Sequence, residues 1–475
     1  MGKKEPFFCD VMAMNPGVTG SLNLISVRFP SKEEPVLRFV VDAGTYQEDE
    51  YKHLNDTLFF NPEKINFCLV THNHVDHIGR IPYLVKKGFR GTVYSTIPTS
   101  RLMPLALWDC FKVLKDSAKR KYEKVLYNTD DVSNTLNLVK SCRYGQEIQV
   151  HRNVHVTFLK NGHLVGAALI YVRISYPGYE DINLLFTGDY KGSNVFFDVD
   201  PIPKKILDKP LTIIQESTYG NEDDNDIIPC FKDNVLKCIQ SGGTVVAPIL
   251  SLGRSQEVLF ELKKMQESGE LSLNVPIYFD GNLAIRYTNM YLNGLLDIRE
   301  DMLDFLPKNL TFVDKTIRPT ILADTGRKII LSTSGFGSFG PAQTYIIRFA
   351  QHEGNLIQFT TGFVGKETSM RYRLKNAKQG EGVTVGGILI IKKAMVEFTG
   401  EYSGHARANE MISFLKQFTN LKFVIVNHGE EKTKLSFASR IEKEVNPKDE
   451  VGILGVGYYY RIGPFGFIKS MTTKF

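Results

Sequence analysis

Cysteine is scarce in this chain of 475 residues. There are six, Cys9, Cys68, Cys110, Cys142, Cys230 and Cys238, at scattered spacings and without a Cys-x-x-Cys pair. That excludes a disulfide scaffold and reads as buried thiols in a reducing compartment. No apolar run approaches about 18 residues, which excludes a membrane-spanning helix. The first twenty residues carry Lys3 and Lys4 but no apolar stretch after them, so a secretory signal is not expected. Gly2 does not fit a myristoylation signal, because Pro6 stands where Ser or Thr is needed. The cytoplasm is the expected location. Internal repeats and low-complexity tracts are absent. An excess of one charge is also nearly absent: 58 Lys and Arg stand against 52 Asp and Glu, a formal +6. Such a balance permits a polyanionic partner without requiring one. What is present, 43% hydrophobic and 23% charged residues, is the composition of a soluble globular protein and rules out wholesale disorder or a rod. The length predicts roughly two to four structural units.

Patterning along the chain divides it further. Residues 1 to about 60 read as short strands with turns, and Ile65–Val70 as a strand running into Thr71 and His72. Residues 78–87 read as a helix. From Met103 to Leu126, Trp108, Phe111, Leu114, Ala118, Tyr122 and Val125 recur at helical spacing, predicting an amphipathic helix. Its other face carries Lys112, Lys115, Lys119, Lys121 and Lys124, either a solvated surface or a stripe facing phosphates. Strands are predicted at 154–159, 168–174, 182–186 and 211–216. An acidic linker, Asn221-Glu-Asp-Asp-Asn-Asp226, then opens a region where strands alternate with helices, the pattern of a small parallel α/β domain. Residues 383–398 revert to strands, followed by a helix at 406–418 and a strand at 423–426. The reading is a β-rich domain, residues 1–222 and 383–475, interrupted by an α/β insert at 223–382. The final stretch, Val451 to Phe475, is aromatic and Gly-rich and reads as a hairpin packed on the fold or on the partner subunit of a homodimer.

The ten histidines are not scattered. Thr71-His72-Asn-His74-Val-Asp76-His77 places four potential metal ligands within six positions, on a tight loop between a predicted strand and a predicted helix. His72 and His74 can point together, while Asp76 and His77 turn toward a second point. Neutral imidazoles and carboxylates are what a borderline divalent ion such as zinc binds. Further partners lie beside glycines or at strand ends: His163 in Asn161-Gly-His163, Asp189 in Gly188-Asp189, His405 in Gly404-His405 and His428 in Asn427-His428-Gly429. A carboxylate at a strand end beside glycine, as at Asp189, suits a bridge between two ions.

The His-x-His-x-Asp-His motif with the later His, Asp and His resembles the metallo-β-lactamase fold superfamily. Glu216 in Gln215-Glu216-Ser-Thr-Tyr-Gly220, His405 in Ser403-Gly-His405-Ala406 and His428 in Asn427-His428-Gly-Glu430 resemble the added motifs of its β-CASP branch, the nucleic-acid nucleases. Gly17-Val-Thr-Gly-Ser21, Asp42-Ala-Gly-Thr45, Pro248-Ile-Leu-Ser-Leu-Gly-Arg254 and Gly365-Lys-Glu-Thr-Ser-Met-Arg371 extend the likeness over most of the chain, toward compact relatives of the cleavage-and-polyadenylation endonuclease. The resemblance implies an α/β fold: an αββα sandwich with an inserted small parallel α/β domain. It implies two zinc ions (Zn2+), or Mn2+ in their place, one held by His72, His74 and His163, the other by Asp76, His77 and His428, with Asp189 bridging. Asp42 would orient a ligand imidazole. Asp76, Glu216 and His405 would be catalytic, with Glu216 orienting His405 toward the scissile phosphate or the leaving oxygen. The implied activity is hydrolysis of phosphodiester bonds in single-stranded RNA, endonucleolytic, with 5′-exonuclease action on the same site left open. RNA is favoured over DNA because His428 occupies a position that is typically Val in the DNA-processing branch.

Gly335-Phe-Gly337-Ser-Phe-Gly340 matches the dinucleotide fingerprint in letters, yet it comes late in the chain and lacks the acidic residue after the next strand, so no nicotinamide cofactor is expected. Its amides at a helix start would suit RNA backbone instead. Ser334, Gly335, Gly337, Lys366 and Arg371 are therefore candidate phosphate contacts, with a plain turn and a solvated charged face as the alternatives. The chain departs from the resembled family at Asp280-Gly-Asn-Leu-Ala284, where Asp-Ser-Pro-Met-Ala is common, and in the bulk of Phe336 and Phe339. Two other functions remain as alternatives: a hydrolase of small esters, thioesters or lactams on the same metals, and an inactive RNA-binding scaffold.

Overall fold

A computed structural model describes residues 6–31, 33–48, 50–122, 124–227, 229–362 and 364–472. Gly2 and the last three residues of the terminal stretch lie outside the described residues. The chain forms two compact units, Met1–Asp224 with His405–Phe475, and Asn225–Gly404.

In the first unit, eight strands form one sheet in the order Gly466–Thr472, Tyr458–Gly463, Phe8–Ala13, Asn23–Arg28, Leu37–Val41, Phe67–Leu69, Thr92–Thr96 and Val139–Cys142. The terminal stretch is thus a hairpin whose strand Tyr458–Gly463 pairs with Phe8–Ala13. Seven strands form a second sheet in the order Val451–Ile453, Leu421–Asn427, Leu211–Glu216, Ile182–Phe186, Ala168–Ile174, Val154–Lys160 and Glu147–His151. One buried cluster joins them, with Ile25, Val27 and Phe39 from the first sheet and Val156, Phe158, Ile170 and Val172 from the second. Alternate residues of each strand supply this shared core. The outer faces of both sheets are apolar too. Ile81–Lys86, Ile97–Lys121 and Thr129–Asn137 cover the first; Ala408–Leu415 and Glu431–Glu444 cover the second. The result is four layers, helix–sheet–sheet–helix.

Strand direction decides where chemistry can sit. Leu37–Val41 and Phe67–Leu69 run parallel, as do Ile182–Phe186, Leu211–Glu216 and Leu421–Asn427. The loops leaving their carboxyl ends carry Asp42, His72, Asp189 and His428, and Glu216 is itself a last strand residue. The carboxyl edge of parallel strands is where open α/β sheets bind ligands.

The second unit is built on a six-stranded sheet, all parallel, in the order Leu310–Val313, Ile277–Asp280, Lys328–Ser332, Thr244–Pro248, Leu356–Phe359 and Met395–Phe398. Its inner strands are mostly apolar, as expected of strands buried on both faces, with Asp280, Lys328 and Gln358 as buried exceptions. The expected boundary after residue 382 falls elsewhere in the structure. Met395–Phe398 pairs in parallel with Leu356–Phe359, so the strands at 383–398 belong with the insert and the chain re-enters the first unit at His405. The helix expected at 78–87 is two short helices, Val75–Ile78 and Ile81–Lys86, with Pro82 in the first turn of the second. Proline has no amide hydrogen and is tolerated there rather than inside a helix. Among the described residues no helix is long and apolar enough to cross a membrane.

Phe158 is fully buried between the two sheets. Phe158→Ala is expected to cost about 3–5 kcal/mol and to lower the midpoint of urea unfolding followed by circular dichroism. An unchanged midpoint would mean that the sheets do not share this core.

Candidate metal centre

The residues implied as ligands, distant in sequence, meet at the carboxyl edge of the first unit. His72 Nε2 lies 3.1 Å from His74 Nδ1, and His163 Nε2 lies 3.2 Å from the same atom. Asp189 Oδ2 completes the group at 3.5 Å from His72 Nε2 and 3.6 Å from His163 Nε2. The other oxygen of the same carboxylate faces a different pair: Asp189 Oδ1 is 3.3 Å from His77 Nε2 and 3.3 Å from His428 Nε2. Asp76 Oδ2 lies 3.8 Å from His77 Nε2. His72, His74, His163 and Asp189 thus form one four-atom cluster and Asp76, His77 and His428 a three-atom cluster. The stretch from His72 to His77 is a loop only as far as His74; Asp76 and His77 lie in the helix Val75–Ile78, and the His77 ring centroid is 3.9 Å from that of His72.

Neighbouring groups fix which nitrogen of His72, His77 and His428 is free. Asp42 accepts from the Thr71 amide at 2.8 Å, from the Thr71 hydroxyl at 2.8 Å and from His77 Nδ1 at 2.8 Å. This puts the His77 proton on Nδ1 and leaves Nε2 for the site. The Thr71 hydroxyl lies 3.0 Å from His72 Nδ1, and the Thr218 hydroxyl lies 3.2 Å from His428 Nδ1. Asn161 holds the His163 loop: its side-chain oxygen accepts from the His163 amide at 2.9 Å and its amide group donates to the Asp189 carbonyl at 3.1 Å. Asp42 and His428 both have positive φ, 63° and 50°. Such strain costs about 1–3 kcal/mol and persists only where the surroundings enforce it. Glycine at 44 permits the close backbone approach that seats Asp76, since a Cβ there would lie 1.5 Å from the Asp76 carbonyl oxygen.

His405 stands beside the clusters. Its Nδ1 lies 3.1 and 3.0 Å from the two oxygens of Glu216, and its Nε2 lies 3.8 Å from Asp189 Oδ2. Glu216 is buried at the end of its strand and also accepts from the Tyr190 amide at 2.6 Å. The His405 side chain is 18% exposed against 1% for Glu216, so the ring is the more open member of the pair.

The electrostatics favour a cation. Asp42, Asp76, Asp189 and Glu216 converge here, and among the described residues they pair only with imidazoles, not with Lys or Arg. Burial pushes the His74 imidazole down to about 4 and lowers His72 well below its ordinary value, so both offer lone pairs at neutral pH. Burial also works against a charged His77, but the carboxylates of Asp189 and Asp42 overcome it and hold that ring well above its ordinary value. Burial alone would raise Asp189; His428, His77, His405 and His72 hold it well below the usual carboxylate range. His77 Nε2, His428 Nε2 and Asp189 Oδ1 are buried with no hydrogen-bond partner, the atoms a bound ion would satisfy. The 3.1–3.6 Å separations in the first cluster match the edges of a tetrahedron, about 3.3 Å for ligand bonds of about 2.0–2.1 Å. The donors present therefore fit a divalent-metal site.

The candidate phosphate contacts lie in the second unit, and the structure uses several of them internally. The Gly337 amide donates to the Ser334 carbonyl at 2.9 Å, closing the glycine loop on itself. Arg371 is buried, with its guanidinium 4.2 Å from the Phe336 ring centroid and 3.3 Å from the Thr361 hydroxyl. Gly335 is packed against Leu250, and Lys366 precedes the helix Met370–Asn376. The loop and Arg371 thus support one another, and neither Arg371 nor the Gly337 amide is presented as an open phosphate donor. Asp280, at the point of departure from the family motif, is buried between Arg318 at 2.7 Å and the Tyr345 hydroxyl at 2.8 Å. Sequence reasoning missed Thr71, Thr218, Asn161 and Tyr190 as supports of the site. Thr71, Asn161 and Tyr190 lie one or two residues from His72, His163 and Asp189, an adjacency too common to single out, and Thr218 is 210 residues from the His428 ring it supports.

Comparison with known proteins gives three matches along the chain. Residues 33–182 match a metallo-beta-lactamase superfamily domain, residues 255–370 a Beta-Casp domain and residues 390–451 a Zn-dependent metallo-hydrolase RNA specificity domain. Similar proteins include a transcription termination factor FttA of Methanosarcina mazei, 30% identical over 440 residues, with 86% of this chain and 66% of that protein covered. An RNase J-like protein of Methanocaldococcus jannaschii is 28% identical over 408 residues, covering 82% of this chain and 88% of that protein. Ribonuclease TTHA0252 of Thermus thermophilus is 26% identical over 413 residues, covering 84% and 89%. The chain spans 66%, 62% and 64% of the lengths of three FttA proteins that it matches.

Removing Asp42 would free the His77 ring and leave the Thr71 amide without its acceptor. Asp42→Ala is expected to weaken divalent-metal retention about 10–100-fold, measured by dialysis against buffered metal and elemental analysis. Retention equal to the parent protein would exclude this orienting role.

Proposed function

The chain belongs to the metallo-β-lactamase superfamily, in the branch that carries a β-CASP insert, and on that premise we propose that it is a two-zinc ribonuclease that hydrolyses phosphodiester bonds of single-stranded RNA. The observation that carries the reading is the Glu216–His405 pair standing beside the two clusters, with His405 Nε2 3.8 Å from the carboxylate that both clusters share. A hydrolase of small esters or lactams has no need of this additional proton donor. The match of residues 390–451 to an RNA specificity domain and the ribonuclease names of two relatives support RNA as the substrate.

In this reading His72, His74 and His163 would hold one ion, Asp76, His77 and His428 would hold the other, and Asp189 would serve both. Bound there, the ions would supply a water acidified to near neutrality and positive charge beside the phosphoryl oxygens. The chain's own groups do the rest. Asp42, Thr71 and Thr218 keep the coordinating nitrogens aimed inward. Glu216 holds His405 through Nδ1, so that Nε2 faces the site and can deliver a proton to the departing 3′ oxygen. The burial of His72, His77, Asp189 and His428 excludes bulk water from these charges and strengthens their interactions. Five imidazoles with two carboxylates suit zinc, with Mn2+ as the other borderline candidate.

End-labelled RNA and DNA of matched sequence provide the test. Metal-loaded protein is expected to cleave the RNA. His74→Ala should lose both bound metal and cleavage. His405→Ala should keep its metal while cleavage falls about 10²–10⁴-fold. RNA left intact by the metal-loaded parent protein, or full activity in His405→Ala, would overturn the proposal.

A further inference from the structure

The helix Ile97–Lys121 does more than cover a sheet. Its N-terminus is tied to the loop that carries His163: the Thr96 and Thr99 hydroxyls donate to the Gly166 carbonyl at 2.7 and 2.8 Å. From that anchor the helix continues for more than five turns at 3.6 residues each. Trp108, Lys112, Lys115 and Lys119 are spaced by four, three and four residues, so they line one ridge of it. All four are exposed. Tyr122, which caps the helix in a left-handed conformation, is 98% exposed and continues the ridge three residues on. Among the described residues, Lys112, Lys115 and Lys119 make no ion pair. Trp108 is the only tryptophan in the chain and is 37% exposed. It leans edge-on against Phe111, with ring centroids 6.3 Å apart, and Phe111 packs on the core beneath the helix. An aromatic ring held at a fixed angle, then three unpaired ammonium groups, then a second open ring is a pattern that suits stacked bases and a phosphate backbone. A merely solvated face has no need of exposed Trp and Tyr at its two ends.

We infer that this ridge binds single-stranded RNA outside the metal centre, stacking a base on Trp108 and pairing backbone phosphates with Lys112, Lys115 and Lys119. The inference rests on the proposed RNA substrate and deepens it: the ridge selects RNAs long enough to reach from the His163 loop along the helix. Lys119 lies twenty residues beyond Thr99, about 30 Å along the helix axis. An RNA of about 6 nucleotides would fill the metal centre alone, whereas one of about 30 nucleotides would engage both. The ridge therefore acts on KM for long RNA and not on the chemical step.

The single tryptophan makes the test direct. In the His405→Ala background, which slows cleavage, a 30-nucleotide RNA is titrated while Trp108 fluorescence is followed, and binding is repeated over a range of salt. Trp108 emission should be quenched by single-stranded RNA and not by a duplex of the same length. Lys112→Gln, Lys115→Gln and Lys119→Gln combined should reduce the slope of log affinity against log salt by about 2, since each phosphate contact contributes about 0.7 for a single strand. Glutamine retains helix propensity, so the helix should persist. In the otherwise native protein the triple variant should raise KM for the long RNA and leave cleavage of the short RNA unchanged. An unaltered salt slope, an unquenched Trp108, or binding of anionic vesicles by the ridge with the RNA isotherm unmoved would overturn the inference. Quenching without cleavage by the native protein would leave the ridge standing and defeat the ribonuclease reading; cleavage without quenching would do the reverse.

Discussion

The carboxylate of Asp189 is the constraint on which the site depends. It is 2% exposed, and its two oxygens face two different sets of imidazoles. Without it, His72 and His163 would share no anion with His77 and His428, and the rings would be a buried group of mutually repelling bases. With it, one negative charge joins both clusters and draws His405 to their edge. Its position follows from strand direction. Asp189 leaves the carboxyl end of Ile182–Phe186 through Gly188, which takes a φ of 53° and has no room for a Cβ beside Thr71. Glycine alone meets both demands without strain.

Around that carboxylate the protein uses a small set of devices repeatedly. Four of the six imidazoles have one nitrogen beside a neighbour, Thr71 for His72, Asp42 for His77, Thr218 for His428 and Glu216 for His405. The other nitrogen then has a fixed direction. Two of these positions also hold strained backbone, at Asp42 and His428. The rigid strands behind them, packed through the core between the sheets, enforce that conformation. Function here is bought with stability supplied by Ile25, Phe158, Ile170 and their neighbours.

The motifs outside the metal centre divide differently. The glycine loop and Arg371 of the second unit look like phosphate ligands in sequence but are largely engaged with one another through Phe336 and the Ser334 carbonyl. Lys112, Lys115 and Lys119 of Ile97–Lys121, ambiguous in sequence, stand exposed beside Trp108 and Tyr122 on a helix tied to the His163 loop. Neither distinction depends on residue type. It depends on whether the donor has already been used by the fold.

Much of this protein was legible from residue order alone. The strands at 182–186 and 211–216 coincide with Ile182–Phe186 and Leu211–Glu216, because strands buried on both faces are rich in apolar residues. The metal-type donors were legible because imidazoles and carboxylates beside glycines at strand ends have few other uses. The edge of the insert was not, since Val396 and its neighbours read as a strand whichever sheet they join, and only pairing with Leu356–Phe359 assigns them. Nor were the supports: Thr71 and Asn161 lie beside His72 and His163 in sequence, but their bonds to Asp42 and Asp189, like that of Thr218 to His428, exist only once segments far apart in sequence are in contact. Local composition and periodicity determined the elements and the kinds of ligand; tertiary packing alone decided which nitrogen faces inward, which oxygen of Asp189 serves which cluster, and which basic groups remain free, because these depend on distances that no linear spacing contains.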